Sequence, residues 1–189
     1  MGRELRRVPP NWEHPNFERL CGEGYQPMYD RTFGEAAKEW KEGFTAWERG
    51  ERPSYCDDDE GKNLEYWEWE NDPPERKYYR PWQDSEATWY QVWETVSEGT
   101  PVSPPFETQQ ELIDYLVENG DFWDQRRRKE GKAHLSCAPW TREAAERFVL
   151  GSGWAPSFVA DATGVYSGIE YLAEEYNAKL TRRSTAHND

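Results

Sequence analysis

Residues 88–106, TWYQVWETVSEGTPVSPPF, contain the clearest strand signal in the chain. Residues 87–96 are rich in aromatic and β-branched side chains, which predicts a strand. Residues 97–101 combine Ser, Glu, Gly, Thr and Pro, which predicts a turn. A helix is then expected over residues 108–119, because this segment opens with Thr-x-x-Glu, the spacing of a capping box. A strand, a turn and a helix in one short stretch favour an α+β fold.

The remaining elements follow from the periodicity of the apolar side chains on either side of this stretch. We expect helices over residues 32–50, 141–150 and 169–180, a strand at 65–70 and a hairpin at 157–167. In the predicted strand at 65–70, Trp67 and Trp69 alternate with glutamates, which is the period of a half-buried strand. The sequence thus predicts a single compact α+β domain of about four helices, with a small antiparallel sheet and an aromatic-rich core.

Three segments are expected along the chain. Residues 1–31 are rich in proline and aromatic residues, which predicts an irregular arm packed on the core. Residues 32–180 are expected to form the α+β domain, with an acidic middle segment at 51–125. Residues 181–189 are expected to form a flexible tail.

The composition limits the class of protein. The chain has 189 residues and a net charge of −14, from 23 basic and 37 acidic side chains. Only 26 residues are Leu, Ile, Val or Phe, and so small a share with a high net charge is typical of disorder. Eleven Trp and eleven Tyr oppose this, since each ring can bury roughly 150–250 Å². No apolar run is long enough for a membrane span and no signal peptide is recognisable, so we expect a cytoplasmic protein.

The acidic residues are concentrated in residues 51–125, where 20 acidic and 5 basic side chains give a net charge of −15. The flanking residues 1–50 and 126–189 carry only −1 and +2. Such a field repels phosphates and attracts basic surfaces. Direct binding to nucleic acid is therefore not expected, and a protein with a basic surface is the expected partner. The alternative is an acidic face that only keeps an aromatic-rich protein in solution.

The densest acidic run, with the aromatic residues beside it, is the predicted partner-binding site. Carboxylates would supply complementary charge, and aromatic rings are frequent anchors of protein interfaces. The predicted contact residues are Asp57, Asp58, Asp59, Glu60, Glu65, Glu68, Glu70, Asp72 and Glu75, with Trp67, Trp69, Tyr78 and Tyr79 as aromatic anchors.

No catalytic or metal site is predicted. Cys21, Cys56 and Cys137 lack the paired spacing of a zinc knuckle, although His134 lies three residues before Cys137. A Cys nucleophile needs a His partner, and closeness in sequence does not establish that geometry. We therefore expect no metal, no cofactor and no catalytic residue, and we expect the cysteines to be reduced. The basic cluster at 126–129 is predicted to be a solvated loop, with pairing to an acidic surface as the alternative.

Two other functions remain open from the residues alone. Trp67, Trp69, Trp89 and Trp93 could line a pocket for a small ligand, in a binding protein or an enzyme, although such rings more often fill a core. The chain could also be a structural or assembly protein, and it would then form homo-oligomers.

Residues 90–106 resemble the motif Y-Q-x-W-E-T-x-S-E-G-x-P-x-S-P-x-F of a family of uncharacterised small proteins from tailed bacteriophages. The acidic helix at 108–119, the segment GWAPS at 153–157 and the opening RRVP at 6–9 also resemble that family. Many members have a Cys-rich knuckle near the N-terminus, of which this chain has only Cys21.

The resemblance implies a phage origin and expression in the cytoplasm of the bacterial host. Phage accessory proteins of this size often inhibit host machinery, including CRISPR and other defence systems. The leading hypothesis is therefore an anti-defence inhibitor, not an enzyme, that binds a host protein which handles nucleic acid.

Overall fold

The structure is a computed structural model, and it describes residues 1–19, 22–53, 63–96, 98–131, 138–161 and 164–172. The chain forms two units. The sheet unit consists of Met1–Gln26 and Trp82–Asp189, and the inserted unit consists of Pro27–Pro81. The units do not follow the predicted boundary at residue 31, and the predicted tail at 181–189 lies outside the described residues.

The elements have the following bounds in chain order. The strands are β1 (Arg3–Val8), β2 (Asn16–Arg19), β3 (Gly22–Tyr25), β4 (Tyr29–Thr32), β5 (Tyr79–Arg80), β6 (Trp89–Glu94), β7 (Trp154–Ala155), β8 (Phe158–Asp161) and β9 (Gly164–Ser167). The helices are α1 (Phe33–Glu48), α2 (Tyr66–Trp69), α3 (Gln109–Asn119), α4 (Phe122–Lys129) and α5 (Arg142–Arg147), and α5 continues into a wide helical turn at Phe148–Ser152. These helices and strands confirm the predicted α+β class with a small antiparallel sheet.

The sheet unit is built on a three-stranded antiparallel sheet in the order β6, β1, β7. Leu5 of β1 lies opposite Val92 of β6, and the pairing runs from Arg3 to Val8. The prediction of an irregular arm over residues 1–31 is therefore wrong for residues 3–8, which form the central strand. The reason is that this strand is stabilised by partners distant in sequence, while its own residues, RELRRV, are mostly charged and show no strand pattern.

The quoted motif forms a network of hydrogen bonds around β6. Residues 100–106 run antiparallel to β6, and Tyr90 exchanges backbone hydrogen bonds with Phe106 at 2.8 and 2.9 Å. The Gln91 amide donates to the carbonyl of Ser103, and the Trp93 indole donates to Gln91 Oε1 at 3.0 Å. Gln91, Trp93 and Ser103 are buried and Tyr90 and Phe106 are half-buried against the core, so this network specifies the packing of the unit.

Helices α3 and α5 complete the hydrophobic core of the sheet unit. Thr108 and Glu111 form the predicted capping box of α3, and each accepts a backbone N–H of the other. Leu112, Ile113 and Leu116 point from α3 into the core, where Phe148 is also fully buried. Helix α3 and the hairpin of β8 and β9 confirm two predicted elements.

Helix α4 was not predicted, and it places the basic cluster at 126–129 in its last turn rather than in a loop. Its cap is Asp121, whose carboxylate accepts the backbone N–H groups of Trp123 and Asp124. The sequence did not predict this helix for two reasons. Its capping box has aspartates in place of the usual Thr and Glu, and its residues form no apolar stripe with helical spacing.

The inserted unit consists of α1 and α2 with the two-stranded parallel pair of β4 and β5. Thr32 and Glu35 form the predicted capping box of α1. Trp47 from α1 and Tyr66 from α2 are buried against each other, and Trp40, Phe44 and Trp69 surround them. Helix α1 approaches Tyr66 so closely that a Cβ at Gly43 would lie 2.0 Å from the Tyr66 hydroxyl. Glycine at position 43 therefore allows the two helices to pack.

The strand predicted at 65–70 is wrong, because this segment is helix α2. Tyr66 and Trp69, which are three residues apart, belong to the aromatic cluster with α1, while Trp67 touches Phe44 at the edge of that cluster and is exposed, as is Glu68. A spacing of three is helical. The alternation of Trp and Glu over six residues is the pattern of a strand, so the sequence favoured the wrong element. The helical spacing becomes visible only from the residues that pack against α1.

His14 of the sheet unit is held as a neutral imidazole by its hydrogen bonds. Its Nδ1 accepts the indole N–H of Trp12 at 3.3 Å, and its Nε2 donates to the carbonyl of Gln26 at 2.6 Å. The ring also packs edge-on against Trp93, with centroids 4.9 Å apart. Burial and the positive charge of Arg6 lower the pKa of His14, and the hydrogen bond to Gln26 opposes them in part.

We expect the free energy of unfolding to fall as the pH is lowered through the ordinary His pKa of 6.5. Below that pH the unfolded chain binds a proton at His14 that the folded protein does not bind, so protonation favours unfolding. The measurement is urea denaturation between about pH 7 and pH 5, for the wild type and for His14→Phe. The difference between the two proteins should shrink as the pH falls, and a difference that does not change with pH would contradict the prediction.

Candidate functional site

The described part of the predicted acidic site lies in the inserted unit, on α2 and on the segments that flank it. Five of its carboxylates are in the described residues, and all five are exposed: Glu65, Glu68, Glu70, Asp72 and Glu75. Asp57, Asp58, Asp59 and Glu60 lie outside the described residues. The structure therefore shows an exposed acidic face at residues 65–75, which we call the acidic face.

The carboxylates of the acidic face are not equivalent. Glu65 and Glu68 form the capping box of α2, in which Glu68 accepts the backbone N–H of Glu65 at 2.9 Å. Glu75 forms an ion pair with Lys77 at 2.7 Å. Glu70 and Asp72 have no ion pair or side-chain hydrogen bond within the part of the chain that the structure describes. These two carboxylates are the ones available to a partner.

Trp67 differs from the other predicted anchors in its exposure to solvent. It is 44% exposed, and its ring packs on Phe44 with the centroids 6.5 Å apart and the planes 24° apart. Its indole N–H has no acceptor and its ring carries no cation among the described residues. The neighbouring indoles are occupied, since Trp40 donates to the carbonyl of Asn71 and Trp47 donates to that of Leu64.

The other three predicted anchors have partners inside the inserted unit. Trp69 is half-buried and stacks on Trp47 with the centroids 5.8 Å apart. Tyr79 stacks on Tyr29 at 5.0 Å, and the ammonium of Lys77 lies 4.9 Å from the ring centre of Tyr78. Trp67 is therefore the anchor that the structure leaves most accessible.

The four tryptophans proposed as a ligand platform do not have the same environment. Trp67 and Trp69 belong to the inserted unit, whereas Trp89 and Trp93 belong to β6 of the sheet unit. Trp93 is fully buried, and the guanidinium of Arg6 lies 4.4 Å from its ring centre. Trp93 is thus a core residue of the sheet unit.

Three acidic residues of the sheet unit are buried and structural, which the charge count did not reveal. Asp121 accepts Arg3 Nε at 2.5 Å and is 2% exposed. Asp124 accepts the Trp140 indole N–H at 3.1 Å and pairs with Arg127 at 2.8 Å. Glu94 accepts the Trp123 indole N–H at 2.5 Å. Residues 82–125 contain ten acidic and no basic residues, so the arginines that neutralise this network come from elsewhere in the sequence.

Burial of Asp124, with the negative charge of Asp121 beside it, raises the pKa of the Asp124 carboxyl, and the hydrogen bond from Arg127 opposes this shift. Both carboxylates lie in the wall of a cavity of about 380 Å³ in the sheet unit. Arg3, Arg127, Trp140 and Ile169 also line it, and Trp140 is the aromatic residue among the described lining. Arg3 pairs with Asp121 and Arg127 pairs with Asp124, which is the arrangement of a structural network.

The cysteines and His134 of the discarded metal hypothesis lie outside the described residues. Among the residues that are described, no three His, Cys, Asp or Glu side chains come together as a metal site would require. None of the helices in those residues is long and apolar enough to cross a membrane.

No family model, curated protein or solved structure matches this chain. The resemblance of residues 90–106 to tailed-phage proteins therefore stays a prediction.

Proposed function

We propose that this chain is a binding protein whose acidic face docks on the basic surface of a host protein that handles nucleic acid. The observation that carries this proposal is the pair of open carboxylates, Glu70 and Asp72, on the same short segment as the exposed Trp67. Complementary charge accelerates association, and an accessible tryptophan is the residue type most enriched among the strongest contacts of interfaces.

Several other described carboxylates of the inserted unit would contribute less, because they already have cationic neighbours. Glu39 pairs with Arg31, Glu51 with Arg49 and Glu42 with Lys38. The opposite charges of each such pair largely cancel at distances greater than their separation, so the pair adds little to the field that a partner meets. Glu70 and Asp72 keep a local negative charge, which favours a basic partner over a neutral one.

The phage resemblance supports the biological setting of this proposal. A phage protein acts in the cytoplasm of a bacterial host, and an acidic surface can occupy a groove that otherwise takes nucleic acid. A CRISPR-type or other defence factor is the proposed target. A pocket for a small ligand and a role in phage assembly, with homo-oligomers, remain the alternative predictions.

The proposal is tested by affinity capture from bacterial lysate, with and without nuclease treatment, at low and high salt. We expect a basic protein that is retained at low salt and lost at high salt, and whose retention does not depend on nuclease treatment. The variant Glu70→Lys/Asp72→Lys should lose most of this retention. Glu65 and Glu68 are left unchanged because they cap α2.

The matched control is Glu107→Lys/Glu118→Lys. It changes the net charge by the same amount at two exposed positions of the sheet unit. We expect retention close to that of the wild type. If the control loses as much binding as Glu70→Lys/Asp72→Lys, overall charge rather than the acidic face is responsible and the proposal is wrong.

A further inference from the structure

The inserted unit repeatedly places an arginine side chain over an aromatic ring. The guanidinium carbon of Arg52 lies 3.8 Å from the ring centre of Trp47, and that of Arg76 lies 4.3 Å from the ring centre of Phe33. Arg31 approaches Tyr79 at 5.8 Å. A planar cation over an aromatic face is stabilised by the ring quadrupole, and arginine stacks better than lysine because it is flat and weakly hydrated.

Among the described residues no cation lies over the ring of Trp67, and a carboxylate that could hold one follows it on the same helix. Glu70 lies three residues after Trp67 and still has helical backbone angles, so both side chains lie on the same face of the helix surface. Trp67 is exposed and its indole N–H is without an acceptor in the described chain. A guanidinium stacked on Trp67 would therefore have a carboxylate within reach for a charge-assisted hydrogen bond.

We infer that Trp67 and Glu70 form a receptor for an arginine side chain of the partner. This inference rests on the proposed function and specifies its partner chemistry: an arginine-bearing protein segment, rather than one whose charge comes from lysine. Because Trp67 is exposed, we expect its cation–π interaction to contribute only moderately to the binding free energy. The nearby carboxylates should add an electrostatic attraction for the cation that weakens as salt is added.

The test compares two peptides of equal length and charge, one with arginines and one with lysines at the same positions. Binding to the full chain is measured by calorimetry at low salt. We expect the arginine peptide to bind about three- to tenfold more tightly than the lysine peptide. Trp67→Leu should remove this preference, and Trp67→Phe should reduce it, because phenylalanine keeps an aromatic face with a weaker attraction for cations.

The matched control is Trp154→Leu. Trp154 is 51% exposed but lies in the sheet unit, so its loss should leave the arginine preference unchanged. Circular dichroism is used to check that each variant is folded. As a second measurement, the indole N–H resonance absent from the Trp67→Phe spectrum is assigned to Trp67, and it should shift when the arginine peptide is added.

The outcomes separate this inference from the proposed function. Equal binding of both peptides, lost on addition of salt and weakened by Glu70→Lys/Asp72→Lys, would overturn the arginine receptor and leave the acidic face as the docking site. A preference that survives in Trp67→Leu would also overturn it. If neither peptide binds at low salt, the proposed function itself is contradicted.

Discussion

Replacing Asp121 with alanine is expected to lower the free energy of unfolding by about 3–5 kcal/mol. Asp121 is 2% exposed and its carboxylate accepts Arg3 Nε at 2.5 Å, so the substitution leaves a buried guanidinium without its counter-charge. The same carboxylate caps α4 by accepting the backbone N–H groups of Trp123 and Asp124. The measurement is urea denaturation followed by circular dichroism.

Two comparisons show whether the buried pair is the cause. Glu107→Ala removes an exposed carboxylate of the same unit and should change stability by less than about 0.5 kcal/mol. Arg3→Met/Asp121→Ala should be less destabilised than the sum of its two single variants, because it removes both charges together. If Asp121→Ala is no more harmful than Glu107→Ala, the pair does not stabilise the fold.

Replacing Trp93 with alanine is expected to lower the free energy of unfolding by about 3–5 kcal/mol. Trp93 is fully buried, and its removal leaves a cavity between β6 and the residues packed around it. It also removes the indole donor from Gln91 Oε1 and the aromatic face beneath Arg6. The cavity and the lost contacts all weaken the hydrogen-bonded packing around β6, to which residues 90–106 contribute.

The controls for Trp93 vary the size and the burial of the side chain removed. Trp93→Phe keeps an aromatic ring and should be less destabilising than Trp93→Ala. Trp154→Ala removes a tryptophan that is 51% exposed, and the loss should stay near or below about 1 kcal/mol. If Trp93→Ala and Trp154→Ala have equal effects on stability, the assignment of Trp93 to the core is wrong.

Elements with a local signal could be predicted from the sequence. The capping boxes at Thr32 and Thr108 begin α1 and α3, because a hydroxyl and a carboxylate three residues apart satisfy the first N–H groups of a helix. The strand signal at 87–96 predicted β6, since its aromatic and β-branched side chains suit a pleated surface. These signals come from residues that are close in sequence, so they can be recognised from the sequence alone.

Elements whose partners are distant could not be predicted. Strand β1 is charged along its length and becomes the central strand only because β6 and β7 pair with it on either side. Helix α2 has four residues, too few to be stable without packing against α1. In both cases the element is stabilised by tertiary contacts, which a local sequence pattern does not predict.

The sequence alone determined the net charge, the acidic run that ends at residue 75 and the abundance of aromatic side chains. Only the tertiary structure separated the acidic residues into two groups. Asp121, Asp124 and Glu94 are buried, because Arg3, Arg127 and the indoles of Trp123 and Trp140 satisfy their oxygens. Glu70 and Asp72 stay exposed because no such donors surround them in the described chain. Burying a carboxylate requires compensating donors, and where those donors lie is a property of the fold.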